Sequence, residues 1–246
     1  MSTRPPTRSS PAPRHGIARV ISKLGLGSRT QAALWVREGR VRVNGQVVRD
    51  AEFPVLQGRD RVEIDGAQAA PAGRVVVMLN KPRGLVTSTR DEQGRATVYS
   101  CFSGSDLPWL APVGRLDKAS EGLLLFCNDP AWSARIAEPA TGPEKTYHVQ
   151  IDRLADAPLL ATLGAGAVVD GEHLGARSVR CLRSGEKHAW LEIVLAEGRN
   201  RQIRRLLASC DVGVLRLVRV SIGTLSLGEL PKGHWRQLSA AEIDAL

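Results

Sequence analysis

Acidic residues are almost missing from the start of this chain. Residues 1–49 carry ten Lys or Arg and only Glu38 against them, whereas the rest holds 24 basic and 24 acidic side chains, so the whole net charge of +9 lies at the N-terminus. A charge so one-sided fits a polyanionic partner, because each neutralised phosphate releases condensed counterions. Long apolar runs are missing too. The longest, residues 75–79 and 123–127, fall far short of the roughly 18 that a helical membrane span needs. Cysteine is sparse: Cys101, Cys127, Cys181 and Cys210 include no close pair, which excludes a zinc knuckle and a disulfide framework and fits reduced thiols in the cytoplasm. A Gly-x-Gly-x-x-Gly turn and a phosphate loop are both absent, so neither dinucleotide nor nucleotide chemistry is indicated. The expectation is a cytoplasmic protein that needs no cofactor and no metal.

What is present suffices for a sizeable core. The 246 residues are 43% hydrophobic, a length that suits one large domain and one small one. Residues 1–15 place Arg4, Arg8 and Arg14 among Pro and Ser without the apolar stretch of a secretory signal, and are expected to form a disordered basic tail. Helical spacing over 17–24 and 30–36, broken by Gly25-Leu26-Gly27-Ser28, predicts two short helices; Gly39 stops the second. Val41, Val43, Asn44-Gly45 and Val47 then alternate about a hairpin turn, with 61–64 as a third strand. This compact unit is expected to span 16–66, with an Ala/Pro/Gly-rich linker at 67–73. From 74 to 246, strands are predicted at 74–79, 123–127, 146–151, 190–195 and 214–220, and helices at 132–137, 157–163 and 201–209. Without regular strand-helix alternation, an α+β domain with a largely antiparallel sheet is expected.

Three segments carry chemistry. In Gly114-Arg115-Leu116-Asp117-Lys118-Ala119-Ser120-Glu121-Gly122-Leu123, a carboxylate between two cations lies on a glycine-bounded loop at the lip of a buried strand, placed to meet a substrate. In Lys145-Thr146-Tyr147-His148-Val149, alternation puts Tyr147 on the face opposite His148, and His148 is not a catalytic candidate. In Glu197-Gly198-Arg199-Asn200-Arg201-Gln202-Ile203-Arg204-Arg205-Leu206-Leu207, a helix buries Ile203, Leu206 and Leu207 and carries arginines along its edge. Asn80-Lys81-Pro82-Arg83-Gly84 reads as loop architecture or an RNA backbone contact. Arg216 and Arg219 are expected on one face of their strand as further phosphate contacts.

These segments together resemble the pseudouridine synthases, in the branch that modifies ribosomal RNA and carries an N-terminal S4 RNA-binding domain. Ser-Lys-Leu-Gly-Leu-Gly-Ser-Arg followed by Arg-Glu-Gly-Arg-Val-Arg-Val-Asn-Gly is similar to the S4 module, and Gly-Arg-Leu-Asp followed by Ser-Glu-Gly-Leu-Leu-Leu to the active-site motif. The resemblance implies isomerisation of uridine to pseudouridine, with Asp117 as the catalytic carboxylate, by attack on C1′ or by drawing a proton from C2′. It also implies that Arg115 supports the flipped nucleotide, Tyr147 holds the base and Arg204 pairs with Asp117. Arg19, Lys23, Ser28, Arg29, Arg37 and Arg40 would face RNA. The implied partner is structured ribosomal RNA or a pre-ribosomal particle, in the large subunit rather than the small, bound by a monomer. A non-catalytic S4-type RNA-binding or ribosome-assembly factor is the alternative, and it would have no need of the polar residues that all three segments retain.

Overall fold

A computed structural model of the chain describes residues 14–89 and 91–246. The chain divides into two compact units between Gly73 and Arg74. In the first, β1 (His15–Gly16) leads into α1 (Ile17–Lys23) and α2 (Arg29–Arg37), followed by β2 (Val41–Val43), β3 (Gln46–Val47), β4 (Pro54–Val55), β5 (Val62–Ile64) and β6 (Ala67–Gln68). Strands run in the order β3-β2-β5-β6, while β1 pairs with β4. The β2–β3 turn is made by Asn44 (φ 50°) and Gly45 (φ 82°), both in the left-handed region that a two-residue hairpin turn requires. Ile17, Val20 and Ile21 of α1 and Ala32 and Val36 of α2 are buried against Val41, Val43 and Val62 of this sheet.

Two boundaries differ from expectation. Residues 67–73 are not a free linker, because β6 pairs with β5 and the Ala69 and Ala72 N–H groups donate to the carbonyls of Val62 and Leu24. Composition suggests a spacer there, but pairing an open sheet edge satisfies the backbone groups. Of the basic tail, residues 1–13 lie outside the described residues; His15 is already ordered in β1, paired with Val55.

The second unit contains β7 (Val76–Lys81), β8 (Ala111–Val113), β9 (Glu121–Cys127), α3 (Pro130–Ala137), β10 (Lys145–Ile151), α4 (Ala157–Ala165), β11 (Ala167–Val169), β12 (Glu172–Leu174), β13 (Ser178–Ser184), β14 (Ala189–Leu195), α5 (Gln202–Ala208), β15 (Val214–Ile222), β16 (Leu225–Ser226), β17 (Trp235–Gln237) and α6 (Ala240–Asp244). Its nine-stranded sheet runs β13-β14-β10-β15-β9-β7-β17, with β16 on β15 and β8 on β9. Among the strand pairings of this sheet in the described residues, only β15–β9 is parallel. The domain is therefore α+β with a mixed, largely antiparallel sheet.

Core placement explains the sequence pattern. β7 and β9 are buried on both faces: Val77, Leu79, Leu124 and Phe126 join the cluster that includes Leu159 and Leu163 of α4 and Leu206 of α5, while Val76, Met78, Leu123 and Leu125 join Trp132 and Ile136 of α3. A strand covered on both sides reads as an unbroken apolar run. β10 and β14 alternate buried and half-buried residues, as strands covered on one side do. Asp129 caps α3 by accepting from the Ala131 and Trp132 N–H groups, and Pro130 opens the helix, where its missing donor costs nothing. Among the described residues, no helix is long and apolar enough to cross a membrane.

The parallel pairing sets Arg219 beside Gly122. Gly122 has φ +99°, and a Cβ there would collide with the Arg219 backbone carbonyl. Gly122→Ala is accordingly expected to lose about 3 kcal/mol of stability, measured by chemical denaturation, because neither the backbone angle nor the neighbouring strand can give way cheaply.

Candidate active site

Asp117 lies between β8 and β9, in a loop whose backbone is tied down residue by residue. The Leu116 carbonyl accepts from Thr87 Oγ1 at 2.7 Å, Asp117 from the Ser120 N–H at 3.0 Å and from Lys81 Nζ at 3.1 Å. The Lys118 carbonyl accepts from the Gly84 N–H at 2.7 Å, Ala119 from Arg204 Nη2 at 3.2 Å and Ser120 from Lys81 Nζ at 2.8 Å. Five consecutive carbonyls are thus held by donors from well-separated parts of the domain. Such a shell fixes a side chain for chemistry by fixing its backbone.

Lys81 is central to that shell. Its side chain is fully buried at the end of β7, and burial pushes its pKa down to about 8, against the opposing pull of Asp117 and Glu121. Glu121, also buried, is flanked by Arg216 and Lys232. Although burial acts to raise its pKa, these two cations hold its carboxyl below the usual range. The Lys-Pro-x-Gly turn therefore serves loop architecture; Arg83, exposed within it, reaches the Leu215 carbonyl at 3.4 Å.

A cavity of about 160 Å³ opens over the loop. Arg115, Asp117, Tyr147 and Arg204 all line it, and Ser120, Lys145, Arg199, Arg201, Gln202 and Arg219 add to its polar wall. Tyr147 is 8% exposed, directly across from Arg219 on β15. His148 faces the other way and lies 3.5 Å from Glu192. No group of three or more His, Cys, Asp or Glu among the described residues is placed to hold a metal ion.

The expected pairing of Asp117 with Arg204 is corrected by the structure. The ion-pair partner of Asp117 is Arg201, Nη1 to Oδ2 3.6 Å, while Arg204 spends Nη2 on the Ala119 carbonyl and keeps Nε buried without a partner. The cause is local. Arg201 is the residue preceding α5 and adopts the left-handed conformation, φ 49° and ψ 31°, whereas Arg204 is one turn into the helix. Strained backbone of this kind gathers at functional sites. Arg216 and Arg219 also separate: three apart on a strand, they take opposite faces, Arg219 beside Tyr147 and Arg216 across from Gln150, paired with Glu121.

A model of the RNA pseudouridylate synthases matches residues 75–209, and an S4-domain model matches residues 16–62. The chain belongs to the RNA pseudouridine synthase family. It is an enzyme of that class, an isomerase that converts uridine to pseudouridine. An uncharacterized RNA pseudouridine synthase of Aquifex aeolicus is 34% identical over 94% of this chain and 92% of its own. Ribosomal large subunit pseudouridine synthase B of Bacillus subtilis is 30% identical over 94% of both chains. A pseudouridylate synthase crystal structure superposes with a TM-score of 0.65 at 29% identity, covering 95% of this chain and 99% of the other.

Within the S4 unit of this synthase, the candidate RNA contacts divide into free and engaged side chains. Ser28 caps α2 by accepting from the Gln31 N–H. Arg40 is held by Asp65 and Glu38 and stacks over Trp35, and Lys23 reaches His15 at 3.4 Å. Arg19, Arg29 and Arg37 are exposed and line one groove together with Arg49, a residue that sequence reasoning missed. Its signal was only its place in the basic run. None of the four forms an ion pair with a described residue, and Arg49 Nη1 donates to the Arg37 carbonyl at 3.0 Å.

Proposed function

We propose that this synthase isomerises one uridine of large-subunit ribosomal RNA, with Asp117 as the carboxylate presented to C1′ of the target nucleotide. The observation that carries the reading is a carboxylate on an immobilised loop, sharing a cavity with a tyrosine ring and surrounded by cations. A cavity of about 160 Å³ accepts a single base and no duplex, so the uridine must be turned out of its stack. Tyr147 offers its ring to that base, and exposed Arg115 supports the strand it has left. Arg201 and Arg204 hold the carboxylate and its loop, so that the negative charge is in place before positive charge develops on the ribose.

The reaction breaks C1′–N1 and makes C1′–C5, so no atom is lost and no second carboxylic acid is required. The groove formed by Arg19, Arg29, Arg37 and Arg49 supplies phosphate contacts that position folded RNA without reading its sequence. Ribosomal RNA is favoured because the Bacillus subtilis relative, named for the large ribosomal subunit, aligns through both units of this chain. A non-catalytic assembly factor would have no use for a loop so heavily braced behind a half-exposed carboxylate. The protein is taken to act as a monomer in the cytoplasm, on free RNA or on a pre-ribosomal particle.

Pseudouridine mapping in ribosomal RNA from cells with and without this protein tests the assignment. One large-subunit pseudouridine should disappear. Loss at a transfer RNA position, with every ribosomal pseudouridine retained, would overturn it.

A further inference from the structure

The cavity is electrostatically lopsided. Arg115, Lys145, Arg199, Arg201, Arg204 and Arg219 line it, and Asp117 is its one acidic residue among the described residues. Arg199 is neutralised by Glu172 and Glu197, and Arg201 faces Asp117. Lys145 and Arg219 differ from these because they are buried, at 8% and 5% exposure, and neither meets a carboxylate among the described residues. The Lys145 side chain makes no hydrogen bond or ion pair with a described residue. Arg219 donates Nε to the Leu123 carbonyl at 2.7 Å and keeps a buried Nη2 without a partner.

Their arrangement follows from the sheet. Lys145 is two residues before Tyr147 on β10, hence on the same face. Arg219 is directly across from Tyr147 on β15. The two cations therefore flank the tyrosine, one along its strand and one across from it. Burial, with a further contribution from Arg219, pushes the Lys145 pKa down, so the pair is held at a cost that a stable fold would ordinarily relieve with a carboxylate. The arrangement is accounted for if the compensating charge arrives with the substrate.

We propose that Lys145 and Arg219 seat the uracil anion released when C1′–N1 breaks. The inference rests on the reading of Tyr147 as the base platform and Asp117 as the group at C1′. When the bond breaks, its electron pair leaves on N1 and spreads over O2 and O4. The ring turns and C5 bonds to C1′ as Asp117 leaves C1′ in the one route or returns the proton to C2′ in the other, and the proton lost from C5 balances the one gained at N1. The anion forms whether Asp117 attacks C1′ or removes a proton from C2′, so the seat serves either route. A phosphate is the poorer occupant: phosphates stay on the outer strand of the RNA, where exposed Arg115 and Arg201 meet them, whereas Lys145 and Arg219 lie beside the base platform.

Single-turnover rates of Lys145→Met on RNA with uridine or 6-azauridine at the target site test this. The aza ring carries negative charge more readily yet keeps its C5–H. Losing one such donor should slow the uridine reaction about 100-fold, and the 6-azauridine reaction less than about 10-fold. RNA affinity should stay at the parental value, and the melting temperature should be equal or higher because an unpaired buried charge has gone. Equal deficits on both bases, or a deficit that follows weakened, salt-dependent RNA binding, would overturn the proposal. If Lys145→Met does not melt cooperatively, Arg219→Gln takes its place: a larger deficit on uridine than on 6-azauridine supports the seat, and equal deficits overturn it. Asp117→Asn is measured alongside. Should it remain active on either RNA, the reading of Asp117 fails on its own account, whatever the Lys145 comparison shows.

Discussion

Asp117→Asn is expected to lower the rate of pseudouridine formation by about 10⁴-fold or more while leaving RNA affinity and melting temperature close to parental. The substitution keeps the shape of the side chain and removes its charge. That charge is what a ribose cation at C1′ would feel, and nothing else acidic among the described residues lines the cavity. Folding has little stake in it. The Asp117 side chain is 39% exposed, and its one ion pair among the described residues, with Arg201, spans 3.6 Å, a type worth about 0–1 kcal/mol. The loop is braced through backbone carbonyls, which Asn leaves unchanged. Single-turnover rates, RNA binding and thermal melting on the same preparations separate these effects.

Lys81→Met should produce the opposite profile, with stability hit hard and activity lost through displacement of the loop. The Met side chain fills most of the volume but leaves the Asp117 and Ser120 carbonyls without their lysine donor. The Ser120 carbonyl left unpaired, and the Asp117 carbonyl left with the Ser120 N–H alone, should cost about 1–3 kcal/mol together, read by chemical denaturation. A pH series isolates the cause. The Lys81 pKa is about 8 when folded against an ordinary lysine value of 10.5, so between these values the unfolded chain binds a proton that the folded chain has released. Stability contributed by this group therefore rises with pH across that window. Activity should fall over the same range, because a neutral amine holds two carbonyls less firmly. Lys81→Met should lose the fall in activity and show a smaller rise in stability, the remainder coming from Lys145, whose pKa burial also lowers.

Strands buried on both faces were the easiest elements to read. β7 and β9 announce themselves as apolar runs, and β10, β14 and β15 by alternation or branched residues. The edge strand β13 went unpredicted because Ser178–Ser184 is mostly exposed and carries no hydrophobic signature. β8 was missed for a similar reason, being three residues long with Pro112 at its centre.

The site was legible where chemistry and chain order coincide. Asp117 and Arg115 stand in one loop, and Tyr147 takes its facing from strand parity. Contacts that depend on how elements meet were harder. Choosing Arg201 over Arg204 required knowing that α5 begins at Gln202 and that Arg201 turns left-handed before it. Lys81, Lys145 and Arg219 share the parity of Leu79, Tyr147 and Leu217, which was a usable sign of burial. Charge argued against it, since a buried cation without a carboxylate is exceptional outside functional sites.

Tritium release from RNA labelled at C5 of uridine tests the central claim most directly, because each turnover exchanges the C5–H bond for C5–C1′. The wild-type protein should release one tritium per RNA from a single large-subunit position, in step with pseudouridine appearing there, and Asp117→Asn should release none above background. Release by Asp117→Asn at the parental rate would contradict the account.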